Sequence, residues 1–545
     1  MKTKRIAHLI ILLSALASCS DKVGTSEKPI TGLTDEVYFE QDGEIKSIGL
    51  IEHYELTIQQ ATESNAENSD IILSLAQEQL AAAKAYVDEC INTAGANSEW
   101  SDEGADGTGN KNRAIGYKFA SIRYKSIDHN GNPIMLSELV IWPYNNILPD
   151  PYADNVFIGC HCTITSDFDR PSNYDQQSIL TDVGMLALRA SSNMPLLDSF
   201  ENLVIMPDYQ GYGASRDKIH PYLSQDLTAR QALDGARAGI AYYKQHHKLE
   251  DDWKTISTGY SQGGSVAMAI QRYIEENNLS AEFRFGGSVC GEGPYDPVAT
   301  LKNYVSTNEV YMPVAVGFMI YSMCNTNPRL MGKYSPEDFL SEKFINSGII
   351  EMIEAKNLTT DQVQEELFKH SAKFSDADTT TLCMYRSDDK GKFHPYRKET
   401  KDAHVWDTAY GKTSFAKTSD LLQVDAFAFF KEGTLPERKD RQEALKAIEA
   451  ALKDNVLHLG WKPAHPIFLY HSIHDEVVTL ENYTECLESW KGSDMVKGTR
   501  YNGFTKYHVN YGKLFYNIHF DTGLMSIIRG KTDKYEFDRT DNNIH

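Results

Sequence analysis

The chain has 545 residues, 41% hydrophobic and 24% charged, which is the balance of a folded globular protein and excludes a disordered or collagen-like one. Its formal net charge of −22 repels polyanions, so a nucleic-acid-binding role is excluded, and no broad cationic face is on offer to anionic lipid. The length exceeds what a single hydrophobic core usually organises, so one enlarged domain with insertions, or several units, is expected.

The N-terminus opens with Lys2, Lys4 and Arg5, runs through the largely apolar Ile6 to Leu13 and then turns to small residues. That is the pattern of a secretory leader, too short to be an ordinary membrane-spanning helix. Leu16-Ala17-Ser18-Cys19 resembles a bacterial lipobox, which implies cleavage before Cys19 and acylation of its thiol. Residues 1–19 are therefore read as a leader with the lipid-anchor cysteine, and the expected location is the bacterial cell envelope, tethered by lipid alone. Seven further cysteines are scattered along the chain, without the paired spacing of a zinc site or a disulfide framework. Cys160 and Cys162 flank His161, but on a strand His161 points away from both, which argues against a metal there.

In the segment 20–113, Leu73, Ala76, Leu80, Ala83, Val87 and Ile91 recur at three- and four-residue steps and predict one amphipathic helix, followed by a polar, Gly-rich connection up to Arg113. Gly116 to Ser126 and Ile134 to Trp142 predict two strands around the turn Asp128 to Pro133. Strand and helix signals then alternate: strand Asn155 to Ile164, helix around Gln177 to Ala190, strand Leu203 to Met206, helix Leu227 to His246, strand Lys254 to Thr258, helix Gly264 to Glu276 and strand Arg284 to Val289. Alternation of this kind predicts a mostly parallel sheet with right-handed crossovers. It stops over 298–456, where Pro336 to Ile349, Thr360 to Ser371 and Glu437 to Leu457 look helical, and resumes over 457–545 with strands Pro466 to His471 and Met495 to Tyr501 around the helix Leu480 to Trp490. The expected architecture is an α/β core split into 114–297 and 457–545 by an inserted helical cap.

Gly259-Tyr260-Ser261-Gln262-Gly263 lies directly between a predicted strand and a predicted helix. This is the setting of a nucleophile elbow, in which small neighbours let a serine occupy a strained turn at the sheet edge. The amide of Gln262 then opens a helix, where it can donate to a developing oxyanion. A second donor is expected from the loop Gly159 to Thr163, chiefly the amide of Thr163, although Cys162 stands where many hydrolases carry glycine. A serine hydroxyl needs a base, and the fold places an acid and then a histidine later in the chain. Asp475, just past the strand at Ile467 to Tyr470, and His508 fit that order. Glu292 and Asp296 are rival acids, and His519, His471 and His474 rival bases; Glu476 is read as solvent-facing.

The stretches Val204 to Gly213, His220 to Leu223, Leu233 to Ala238 and Gly259 to Gly264 together resemble, in order and spacing, the secretory lipase family of α/β-hydrolases, clearly over 114–297 and more loosely over 466–512. The resemblance implies a cap-bearing serine hydrolase of the lipase/esterase type that cleaves carboxylic esters with Ser261, Asp475 and His508, with no cofactor and no metal. Asp208 and Tyr209 match a family motif read as structural. Two other readings stand beside this one: a serine aminopeptidase of the same fold, and a surface lipoprotein that binds glycans or lipids without catalysis. The acyl and alcohol specificity and the oligomeric state stay open.

Overall fold

The computed structural model describes residues 37–63, 69–96, 114–145, 150–176, 201–368, 382–387, 393–395, 415–501, 508, 516, 523–524 and 526–528. The leader with Cys19, the helix expected at Gln177 to Ala190 and His519 lie outside them.

Twelve strands are present among the described residues: β1 (Phe39–Gly49), β2 (Gly116–Ile127), β3 (Pro133–Tyr144), β4 (Asn155–Cys160), β5 (Asn202–Pro207), β6 (Thr255–Tyr260), β7 (Phe285–Gly291), β8 (Met384–Ser387), β9 (Phe393–Pro395), β10 (Phe415–Ala416), β11 (Ile467–Ser472) and β12 (Val496–Tyr501). Nine of them form one sheet in the order β1-β2-β3-β5-β4-β6-β7-β11-β12. The first three join antiparallel to one another and to β5, and every pair from β5 to β12 is parallel. Parallel strands covered on both faces need apolar residues at successive positions. Accordingly every residue of β4, β5, β6 and β11 is buried, whereas β2 alternates buried and half-buried positions along its second half.

The β2–β3 hairpin closes as its turn residues require. The Asp128 carboxylate accepts the amides of Asn130 and Asn132 at 2.8 Å each, and Gly131 takes the left-handed conformation, with φ 79°, that a side chain would resist. Helix α3 (Gln225–Lys244) buries Ala229, Ala232, Leu233, Ala236 and Gly239, a small-residue face that lets the helix lie close to the sheet. Helix α4 (Gln262–Glu276) follows β6 without a loop and buries Val266 to Ile270 completely or nearly so. Each large side chain so covered stabilises the fold by roughly 1.5–3 kcal/mol.

Three elements differ from the periodicity reading. Strand β4 stops at Cys160 instead of running to Ile164, because its last pairing, Cys160 with Gly259, is followed by the sharp turn at Ser261, and the chain has to leave the sheet. The stretch Pro336 to Ile349 is not one helix. The Ser335 capping box starts a single 3₁₀ turn at Pro336–Asp338, and the Ser341 hydroxyl then caps a separate short helix, Glu342–Ile345, accepting the Phe344 amide at 3.1 Å. The inserted region is also not purely helical, since β10, β8 and β9 make a small antiparallel sheet among helices such as Pro297–Thr307, Pro313–Thr326, Thr360–Phe368 and Lys439–Lys453.

The N-terminal segment holds more than the single predicted helix. Before the long helix Ser69–Ala96 comes another, α1 (Leu50–Glu63), and before that β1, which extends the main sheet. Polar residues alternate irregularly along β1, so no period marks it as a strand. Leu50, Ile51, Tyr54, Ala83, Tyr86, Val87 and Ile115 form a local core between the two helices and the sheet. A buried polar relay reinforces it: His53 Nδ1 meets the Tyr117 hydroxyl at 2.7 Å, which meets that of Tyr174 at 2.6 Å. Burial holds His53 at a pKa of about 3, so the ring is neutral. No helix of the described residues is long and apolar enough to cross a membrane.

Tyr117→Phe removes the central hydroxyl and leaves two buried polar groups short of a partner. A loss of about 2 kcal/mol in urea unfolding is expected, with faster proteolysis within α1; an unchanged midpoint would show that the relay does not hold this helix to the sheet.

Candidate active site

Ser261 sits between β6 and α4 with φ 57° and ψ −125°, a region that a non-glycine residue occupies only under constraint. The constraint is visible on both sides. The Ser261 amide donates to the Gly291 carbonyl at the end of β7, at 2.9 Å. On the other flank, a Cβ added at Gly263 would stand 2.0 Å from the Cys160 carbonyl oxygen, and one at Gly259 would stand 2.4 Å from the Gly263 backbone. Glycine at these positions is what allows β4, β6 and the first turn of α4 to meet. The Ser261 hydroxyl is thereby held at the carboxyl edge of the sheet, where open α/β sheets place their ligand sites.

Asp475, after β11, and His508, beyond β12, reach the same edge. The Ser261 Oγ lies 2.7 Å from His508 Nε2, and His508 Nδ1 lies 2.6 Å from Asp475 Oδ2. The Asp475 side chain is fully buried and that of His508 3% exposed. The other Asp475 oxygen, Oδ1, accepts the amides of Val477 and Val478, both at 2.8 Å. His508 Nδ1–H points to a carboxylate, so Nε2 is the nitrogen left to receive a proton from Ser261.

A second carboxylate shares the imidazole. Glu292, one residue past β7, places Oε2 3.2 Å from His508 Nδ1. Burial alone would make His508 hard to protonate, but the charges of Asp475 and Glu292 outweigh it and hold its pKa at about 10. Burial pushes Glu292 up as well, yet its hydrogen bonds, above all to His508, bring it down to about 2. Asp475 goes the opposite way, well above the carboxylate range, because it is buried beside an anion that is better solvated by donors than itself.

The other described rivals named from sequence have different partners or surroundings. Asp296 caps the helix Pro297–Thr307, accepting the Ala299 amide at 2.8 Å, and its other oxygen meets His458 Nε2 at 3.2 Å. His471 is buried with Nε2 bonded to the Val478 carbonyl at 3.1 Å, and His474 is exposed. Glu476 is not solvent-facing. Its Oε1 accepts the His508 amide at 3.3 Å, and burial raises its pKa to about 7. The acid loop has to fold back on itself to bring Asp475 under the ring, and that carries its neighbour inward.

Of the two residues expected as oxyanion donors, Gln262 follows the serine directly and Thr163 lies in the loop after β4. Gln262 is the first residue of α4, where backbone amides lack intrahelical acceptors, and its side chain is tied down. Gln262 Nε2 donates to His220 Nε2 at 2.9 Å, and His220 Nδ1 in turn donates to the Gln210 carbonyl at 2.8 Å. Burial keeps His220 neutral, with a pKa of about 3. Thr163 is buried in the loop after β4, its hydroxyl 3.1 Å from that of Tyr222. His161 is engaged with backbone, Nδ1 near the Cys162 carbonyl at 2.7 Å, and its ring stacks on Tyr209 at 4.1 Å between centroids. Asp208 is fully buried and accepts the Ser137 hydroxyl at 2.6 Å and the Ser172 amide at 2.8 Å. These two residues organise the loop beside the serine. The seven described cysteines are free thiols, five of them buried.

No protein-family model matches the sequence, and no curated protein matches it significantly. Solved structures do. The rice cell wall degrading esterase LipA from Xanthomonas oryzae, in a ligand-bound form, aligns over 82% of this chain and 94% of its own at 18% identity, with a TM-score of 0.53. A Legionella pneumophila protein assigned to the hydrolases aligns over 78% and 91% at 17% identity, with a TM-score of 0.52. The chain has an α/β-hydrolase fold. Ser261 follows β6 directly, Asp475 follows β11, His508 lies beyond β12, and residues 298–456 lie between β7 and β11 in the chain.

The elbow tolerates no side chain at Gly263. Gly263→Ala drives a methyl into the Cys160 carbonyl, and an unfolding free energy lower by about 1–3 kcal/mol is expected together with loss of Ser261 reactivity. Denaturant melts on the purified variant check it, and a wild-type melt would mean that the Ser261 turn is not packed against β4.

Proposed function

We propose that this α/β-hydrolase cleaves carboxylic esters through an acyl-enzyme on Ser261. The single observation that carries the reading is the unbroken line Ser261 Oγ to His508 Nε2 at 2.7 Å and His508 Nδ1 to Asp475 Oδ2 at 2.6 Å, inside a turn built to present the hydroxyl.

His508 takes the proton of Ser261 as the hydroxyl attacks the ester carbonyl, while Asp475 holds the ring in the tautomer that leaves Nε2 free. The developing oxyanion is received by the amide of Gln262 at the start of α4, and by that of Thr163 from the loop after β4. The imidazolium then protonates the departing alcohol. Water, deprotonated by the same nitrogen, attacks the acyl-enzyme and releases the acid. The chemistry is complete with these groups, and each proton removed from a nucleophile is returned to a leaving group.

Ser261→Ala is expected to lower the hydrolysis of a short nitrophenyl ester by at least ~10³-fold with an unchanged circular dichroism spectrum, and to abolish labelling by a fluorophosphonate. Wild-type rates in this variant would end the reading.

Because His508 acts as a base only without its second proton, and because neighbouring carboxylates hold that proton above the ordinary value of 6.5 toward about 10, kcat/KM should climb through the alkaline range. A profile already flat from pH 6 upward would contradict the charge arrangement around the ring.

A further inference from the structure

Glu292 is more elaborately held than a spectator would be. It is 0% exposed and occupies a positive-φ conformation, φ 42°, immediately after β7. Its amide donates to the Tyr470 carbonyl at 2.9 Å. Oε1 accepts the Ser472 amide at 2.9 Å and the Tyr501 hydroxyl. Oε2 accepts the Tyr260 hydroxyl and faces His508 Nδ1 at 3.2 Å. Donors thus converge on this carboxylate from the ends of β6, β11 and β12 and from His508 itself. A buried carboxylate with that many donors remains an anion.

Its neighbours also address the ring. Tyr260, the residue before the nucleophile, sets its hydroxyl 2.6 Å from the His508 carbonyl, with the two rings 5.1 Å apart. The single Tyr260 proton is thus shared between two acceptors, Glu292 Oε2 and the His508 carbonyl, while Oε2 also faces the histidine side chain. The remaining titratable groups around the ring are Asp475 and Glu476 on the β11 loop, Tyr501 at the end of β12, and His471 at the end of β11. Burial keeps His471 uncharged, with a pKa of about 4. Glu292, Asp475 and His508 have the composition of a metal site, but the atoms that face one another, Glu292 Oε2, Asp475 Oδ2 and His508 Nδ1, already bond to each other or to Tyr260, so a cation would have to displace bonds the fold has made.

We propose that Glu292 is a second anionic partner of His508, a positioning residue that strengthens the hold of the ring on its proton and keeps it aimed at Ser261 when Asp475 is neutralised. The assignment rests on the reading of Ser261 and His508 as nucleophile and base, and deepens it. In a site with one carboxylate, exchanging that acid for its amide costs about 10⁴-fold, because the histidine settles into the wrong tautomer. Here the amide at position 475 leaves Glu292 still able to accept from Nδ1–H. The sign of the pH effect follows from charge: removing an anion beside the ring weakens the grip on its proton, so the neutral, basic form appears at lower pH.

The experiment uses the full chain labelled with ¹⁵N-histidine, and follows the His508 ring titration in wild type, Glu292→Gln, Asp475→Asn and the double variant. The rate of Ser261 labelling by a fluorophosphonate is measured on the same samples across pH. The titration midpoint and the acid limb of labelling should both move down by roughly one pH unit in E292Q. D475N should label within about 100-fold of wild type, and the double variant should fall at least ten-fold further, toward the ~10⁴-fold loss of a site without its acid. An unmoved midpoint and limb in E292Q, or a D475N as slow as the double variant, overturns the proposal. If E292Q does not fold, Glu292→Asp withdraws the carboxylate from Nδ1 while keeping its charge, and a wild-type midpoint in E292D overturns the proposal equally. Wild-type protein that fails to label at all would sink the ester-hydrolase reading, whereas the ring titration would still decide Glu292.

Discussion

The backbone of the Ser261 turn is gripped from two directions, by the Gly291 carbonyl on its amide and by the Cys160 carbonyl against Gly263. The rest of the site follows from that grip. Because β4, β6, β7, β11 and β12 run parallel, their following loops all emerge at one edge, and a serine fixed there is within reach of Glu292, Asp475 and His508. The strain of φ 57° at Ser261 is maintained by neighbours on both sides of the turn, so the hydroxyl stays held toward His508.

The inserted region packs against two of the loops at this edge. Its hydrophobic core takes in Val477 and Val478 from the acid loop, the two residues whose amides hold Asp475 Oδ1. Tyr304, on the helix Pro297–Thr307, donates its hydroxyl to the Val477 carbonyl. The same core reaches Tyr222, whose ring stacks on Phe318 at 4.9 Å and whose hydroxyl meets Thr163. Packing of the inserted region therefore bears both on the loop that carries Asp475 and on the loop after β4 that carries Thr163.

What could be read from the sequence was whatever repeats or sits next to its cause. The parallel strands announce themselves as apolar runs, and the Ser261 turn as glycines between a strand and a helix. That Asp475 and His508 stand near Ser261 was legible through chain order, since each follows a late strand. Glu292 was visible only as a rival to Asp475. Nothing in a linear reading says that two acids from loops after different strands approach one nitrogen, which is a property of β7 and β11 being neighbours. Glu476 was misread for the same reason: a charged residue beside a loop acid looks solvated until the fold turns it under His508. Strand β1 escaped because it has no period, and its pairing with β2 is decided by tertiary contact.

That strand alters how the molecule meets others of its kind. At its edge of the sheet β1 carries Glu40, Asp42, Glu44 and Lys46, with most of its length exposed. Its register with β2 breaks between Asp42 and Lys46, where Gly43 adopts φ 98°. A charged, bulged border strand is a poor template for another chain's backbone. Without it, the long strand β2 would present its open hydrogen-bonding edge to solvent. The N-terminal segment thus pairs an edge of β2 that would otherwise be open to strand addition by another copy of the chain.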